Sequence, residues 1–139
     1  SAFEVCEAKG GDQLAAGRAL IAPGGQTLRL VKSGGELRCA VADASAGQKY
    51  APSIDALFES LAAAGADRAA GILLTGMGSD GREGMLKLQR AGALTIAESE
   101  ESAVIFGMPK EAIAAGAVAK VLPLEAIVGE LIALGRDRR

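Results

Sequence analysis

The residue most able to do chemistry is Asp80, set among glycines in Leu74-Thr75-Gly76-Met77-Gly78-Ser79-Asp80-Gly81. Glycines let a backbone take positive φ or approach another group closely. Three readings fit an acid so placed. Gly76, Gly78 and Gly81 match a G-x-G-x-x-G dinucleotide fingerprint, with Glu98 at the end of the following strand as the ribose-binding acid. That reading sets the Asp80 carboxylate against a pyrophosphate, two like charges at one helix end. A second reading is structural: Ser79 or Asp80 caps the helix that follows, accepting from N–H groups two or three residues on. In the third, Asp80 orients a catalytic imidazole, and N–H groups of the glycine turn form an oxyanion hole.

The third reading needs partners these residues do not supply. The chain has no histidine, which excludes a histidine base or histidine metal ligands from its own chemistry. No serine sits in a Gly-x-Ser-x-Gly elbow, since Met77 stands two places before Ser79.

The flanking pattern says what positions Asp80. Ala70–Thr75 is an apolar run of strand length, and Ser79–Arg90 reads as the helix after it. Strand Ala93–Ala97 follows, then an acidic break at Glu98, Glu100 and Glu101 that suits a solvated cap of a short helix toward Phe106. Met108-Pro109 opens a helix to Ala115, Val118–Val121 is a brief strand, and Pro123 starts a helix over Leu124–Leu134, with a frayed tail beyond. Strands joined by helices predict a parallel sheet, at whose carboxyl ends ligands and catalytic groups gather. Earlier, Phe3–Ala8 alternates as a half-buried strand does, and Arg18–Ala22 is a short strand. Thr27–Lys32 and Glu36–Val41 flank Ser33-Gly34-Gly35 as a β-hairpin. Pro52 opens a helix with Ile54, Leu57, Phe58 and Leu61 on its apolar face. The expected fold class is α/β, three-layered, with a mainly parallel, doubly wound sheet plus a β-hairpin.

Length and composition fit one domain. Half of the 139 residues are hydrophobic but only 3% aromatic, so the core must be built of Ala, Leu, Ile and Val. A net charge of −2 offers no basic footprint for nucleic acid, and no run of 18 apolar residues offers a membrane span. Cys6 and Cys39 fit either one disulfide or two buried thiols. With no export signal at the start, a reducing cytoplasm is expected. The abrupt strand at Phe3 suggests a chain that begins inside something larger.

Several motifs together resemble one family. Ala19–Gly25, Pro52–Phe58, Gly71–Gly81, Ala97–Pro109 and Leu122–Leu124 occur in the order found in the C-terminal catalytic domain of the chemotaxis protein-glutamate methylesterases, the CheB type. The resemblance implies a Ser-His-Asp hydrolase without cofactor or metal. Such enzymes act on glutamyl methyl esters of chemoreceptor cytoplasmic helices and deamidate receptor glutamines. It implies Asp80 as the triad acid and Met77 as a backbone oxyanion donor. It also implies a partial catalytic domain over 1–139. The triad serine and histidine would then precede residue 1, in further domain and behind a receiver domain. Such a piece alone is expected to be inactive. Two positions depart from the family pattern: Thr27, where a histidine is common, and Tyr50-Ala51-Pro52-Ser53, where Arg-Pro-Ser is common. A non-catalytic receptor-binding paralogue and, less well, the dinucleotide domain are the alternatives.

Overall fold

In a computed structural model that describes residues 3–65 and 68–137, three β units and four helices follow the expected order. Strands β1 (Glu4–Glu7) and β2 (Arg18–Ile21) pair in parallel. Strands β3 (Gln26–Ser33) and β4 (Glu36–Asp43) form an antiparallel hairpin. Its two-residue loop, Gly34-Gly35, has φ of 60° and 83°; two left-handed residues in succession match the right-handed twist of the flanking strands. Strands β5 (Ala70–Leu73), β6 (Leu94–Glu98) and β7 (Lys120–Leu122) make a parallel sheet in that order.

The helices are α1 (Ile54–Ala63), α2 (Arg82–Arg90), α3 (Met108–Ala114) and α4 (Leu124–Asp137). Helix α1 joins the two halves. On one side Leu57 and Leu61 pack on Leu28, Leu30 and Cys39 of the hairpin. Ser60 Oγ there accepts the outward N–H of Leu30 at 2.8 Å, satisfying a strand-edge donor. On the other side Ile54 and Phe58 meet Leu73 and Met85, and Phe58 and Leu61 meet Leu88 and Ala93. Gly84 sets how closely α1 and α2 approach. A Cβ there would lie 2.7 Å from Phe58 Cβ and 3.1 Å from the Asp55 Cα and carbonyl oxygen.

Several expectations are corrected at their edges. Helix α1 starts at Ile54 with Ser53 as N-cap, its Oγ accepting from Ala56 N–H at 3.2 Å; Pro52 stands outside. Helix α2 starts three residues later than expected, because Gly81 ends the loop in the left-handed region at φ 101°. No helix forms between Glu98 and Phe106, since this segment bonds instead across to Thr75 and Gly76. Helix α4 continues to Asp137; Arg138 and Arg139 lie outside the described residues. Strand β1 is more exposed than alternation suggested, with Val5 at 55%. Cys6 and Cys39 are both free thiols.

Candidate active site

The site grows from the end of β5. Beyond Leu73 the chain is stitched to the loop before α3. Thr75 Oγ1 accepts from Ile105 N–H at 2.7 Å and donates to the Ile105 carbonyl at 3.2 Å. Gly76 N–H donates to the same carbonyl at 3.0 Å, and the Gly76 carbonyl accepts from Gly107 and Met108 at 3.1 and 2.8 Å. Glu98, at the end of β6, completes the join. Its Oε1 accepts from Thr75 N–H at 2.9 Å and its Oε2 from Ser102 Oγ at 2.7 Å. Glu98 is 3% exposed, so it is no solvated cap but a buried brace between two strand ends. Glu100 and Glu101 remain exposed.

After this anchored stretch the backbone is open. The N–H groups of Met77, Gly78, Ser79 and Asp80 donate to nothing among the described residues. The Met77 side chain is 79% exposed. Gly78, at φ 100°, lies beneath the Tyr50 hydroxyl, which would sit 2.9 Å from a Cβ there. Unpaired N–H groups in a turn at a strand's carboxyl end suit a developing oxyanion.

Asp80 then turns inward and is 7% exposed. It does not cap its own helix. Its Oδ2 accepts Ile54 N–H at 2.8 Å and its Oδ1 accepts Asp55 N–H at 3.0 Å, so it serves the first turn of α1. A longer bond of 3.4 Å comes from Ser53 Oγ. The positive end of the α1 dipole thus faces the carboxylate. Asp55 answers from the other side. Its Oδ1 accepts Gly81 N–H at 2.9 Å and Gly84 N–H at 2.8 Å, supplying the cap that Gly81 lacks. Burial, then the charge of Asp80, pushes the Asp55 carboxyl above its ordinary value, against the two glycine N–H bonds.

This arrangement disfavours the dinucleotide reading of Gly76, Gly78 and Gly81. The N–H groups of Gly81 and Gly84 at the start of α2 are already bound by Asp55, and two carboxylates stand where a pyrophosphate would sit. Thr27 is 2% exposed and accepts from Gln48 Nε2 at 2.7 Å, so that family departure lies in the interior. Sequence reasoning placed Asp80 and Met77 on one loop, as found, but gave Asp55 no role and Glu98 the wrong one. Ser53-Ile54-Asp55 at a helix start was the available signal for Asp55. Nothing local marked Glu98.

Fold and loop together define a class: an α/β domain with an acid-bearing glycine turn at the carboxyl edge of a parallel sheet, the architecture on which triad hydrolases are built. The chain belongs to the CheB methylesterase family, whose sequence pattern matches residues 1–131. It is 46% identical over 132 residues to "Protein-glutamate methylesterase/protein-glutamine glutaminase 3" of Geobacter sulfurreducens, covering 95% of this chain and 36% of that protein. It is 49% identical over 143 residues to "Protein-glutamate methylesterase/protein-glutamine glutaminase 6" of Anaeromyxobacter dehalogenans, covering 100% of this chain and 41% of the relative. The crystal structure of the Thermotoga maritima CheB methylesterase catalytic domain superposes with a TM-score of 0.87 at 34% identity. That match covers 92% of this chain and 68% of the Thermotoga domain. The chain therefore spans between a third and a half of the length of these two curated relatives.

Proposed function

We propose that these residues are the acid-bearing part of a protein-glutamate methylesterase and glutamine deamidase that works by Ser-His-Asp acyl chemistry. The serine and histidine come from chain preceding residue 1, for which the coverage of the relatives leaves room. The serine oxygen attacks the glutamyl ester carbonyl while the imidazole takes its proton. Asp80 holds and charge-compensates the imidazolium, and Met77 N–H binds the oxyanion. Methanol leaves from an ester, or ammonia from an amide, and water then clears the acyl-enzyme. The substrates are glutamyl side chains on cytoplasmic helices of chemoreceptors. A receiver domain in the same protein regulates access, and the whole works in the cytoplasm. Among the described residues no helix is long and apolar enough to cross a membrane.

The observation that carries this reading is the bonding of Asp80. Each carboxylate oxygen has two acceptor sites. Oδ1 uses both, toward Asp55 N–H and Ser53 Oγ, but Oδ2 uses one, toward Ile54 N–H. One site on a buried, anchored carboxylate is left for a ring N–H. Exposed apolar side chains on β1, β2 and α4, among them Val5, Ile21, Val128 and Ile132, offer surface for the rest of the domain. So does an apolar cavity of about 450 Å³ lined by Leu14, Leu20, Leu28 and Leu57.

The test is methanol release from methylated receptor. In the full-length protein Asp80→Asn should lower kcat by about 10⁴-fold, because the amide favours the wrong imidazole tautomer. The 139 residues alone should release none. A loss of only a few-fold in Asp80→Asn would reduce the acid to a helix cap, and turnover by the short chain would defeat the assignment outright.

A further inference from the structure

We propose that Asp55 is a positioning residue for Asp80: it fixes the turn carrying the triad acid against the same helix end that the acid itself caps. This rests on the hydrolase reading above. The two helices exchange caps. Helix α1 receives its terminal carboxylate from Asp80, which precedes α2, and α2 receives its own from Asp55, in the first turn of α1. Four backbone N–H groups that helix geometry leaves without partners are satisfied by two side chains. Asp80 is thereby held at both ends. Its carboxylate is tied to Ile54 and Asp55 N–H, while the next residue, Gly81, is tied through its N–H to the Asp55 side chain.

The close approach of the helices makes this possible. Gly84 is buried, and the absence of a Cβ brings its N–H within 2.8 Å of Asp55 Oδ1. Without the Asp55 side chain, Gly81 and Gly84 lose their acceptor at a buried helix start, and the turn is free to shift. Misplacing a catalytic group by about 1 Å can cost about 10²-fold in rate. Asp55 faces Asp80 and, on its own helix, Glu59, but the role assigned to it is geometric. Both N–H groups bond to one oxygen, Oδ1, and an amide oxygen has the same two acceptor sites. The charge is therefore dispensable and the oxygen is not.

The experiment uses the full-length protein and methylated receptor, with kcat and KM measured separately and folding of each variant checked by circular dichroism. Asp55→Ala should lower kcat about 10²-fold with KM unchanged, because neither acid touches the substrate. Asp55→Asn should regain at least about tenfold of that loss through its amide oxygen. In the double variant Asp55→Ala with Asp80→Asn, kcat should fall no further than in Asp80→Asn alone, as for residues acting as one unit. A merely structural Asp55 would make the losses multiply. Multiplying losses, wild-type kcat in Asp55→Ala, or no gain from Asn over Ala would each overturn the proposal. Should Asp55→Ala fail to fold, Asp55→Glu carries the test, since its extra methylene moves the carboxylate past the two amides. A kcat loss at constant KM then supports the role, and wild-type kcat overturns it. If Asp80→Asn itself stays within a few-fold of wild type, the hydrolase reading falls, a result distinct from failure of Asp55 alone.

Discussion

Replacing Gly84 by alanine tests how tightly the two helix starts are fitted. A new Cβ would lie 2.7 Å from Phe58 Cβ and 3.1 Å from two backbone atoms of Asp55. None of these is the free end of a flexible chain, so the helices themselves must separate. Overpacking of this kind costs about 1–3 kcal/mol. Against it stands the helix propensity of alanine over glycine, worth at most about 1 kcal/mol. Taking overpacking at the middle of its range, about 2 kcal/mol, the net expectation is a loss of about 1–2 kcal/mol. For a chain of 139 residues that corresponds to a fall in Tm of about 3–7 °C and in the urea midpoint of about 0.5–1 M. Wild type and variant would be unfolded side by side in urea with an unchanged slope as the check on two-state behaviour. A variant as stable as wild type, or more so, would show that propensity outweighs contact and that the helices are not held at their limit.

Stability should also respond to pH through Asp55. Its carboxyl lies above the ordinary value of 3.8, because burial and Asp80 together outweigh the glycine N–H bonds. The folded state then holds that proton more tightly than the unfolded chain. The group's contribution is therefore full below pH 3.8 and lost as pH rises through its folded value. Asp55→Asn should flatten this decline in urea midpoints measured from pH 3.8 upward, and superimposable profiles would contradict the assignment. Glu98→Ala should destabilise by about 2–3 kcal/mol, since it opens a cavity and leaves the Thr75 N–H without its acceptor. Thermal unfolding measures it; a change under about 0.5 kcal/mol would mean water replaces the carboxylate without cost.

What could be read from the residues alone was whatever depends on neighbours in sequence. The apolar run into Leu74, the glycines after it and Met85-Leu86 gave β5, the loop and α2 in order. Alternation in Thr27–Lys32 and Glu36–Val41 around Gly34-Gly35 gave the hairpin and its turn. The acid's placement at a strand's carboxyl end followed from the same local pattern. What was hidden depends on partners far along the chain. Asp80 bonds to N–H groups 25 and 26 residues earlier, and Glu98 to one 23 residues earlier. No periodicity records which distant amide lacks an acceptor. A carboxylate in an acidic stretch such as Glu98–Glu101 therefore reads as solvated until the fold buries it. The missing helix before Phe106 has the same origin, because Ile105 takes its partners from Thr75 and Gly76 across the sheet.

The five bonds that join Thr75 and Gly76 to residues 105–108 weld two loops into a single plate beside Asp80. The freedom of both loops is lost once, when the protein folds, and not again at each encounter with a binding partner. Any accommodation to a bound group must then come from that group, or from side chains that rise off the plate, such as Met77 and Val104.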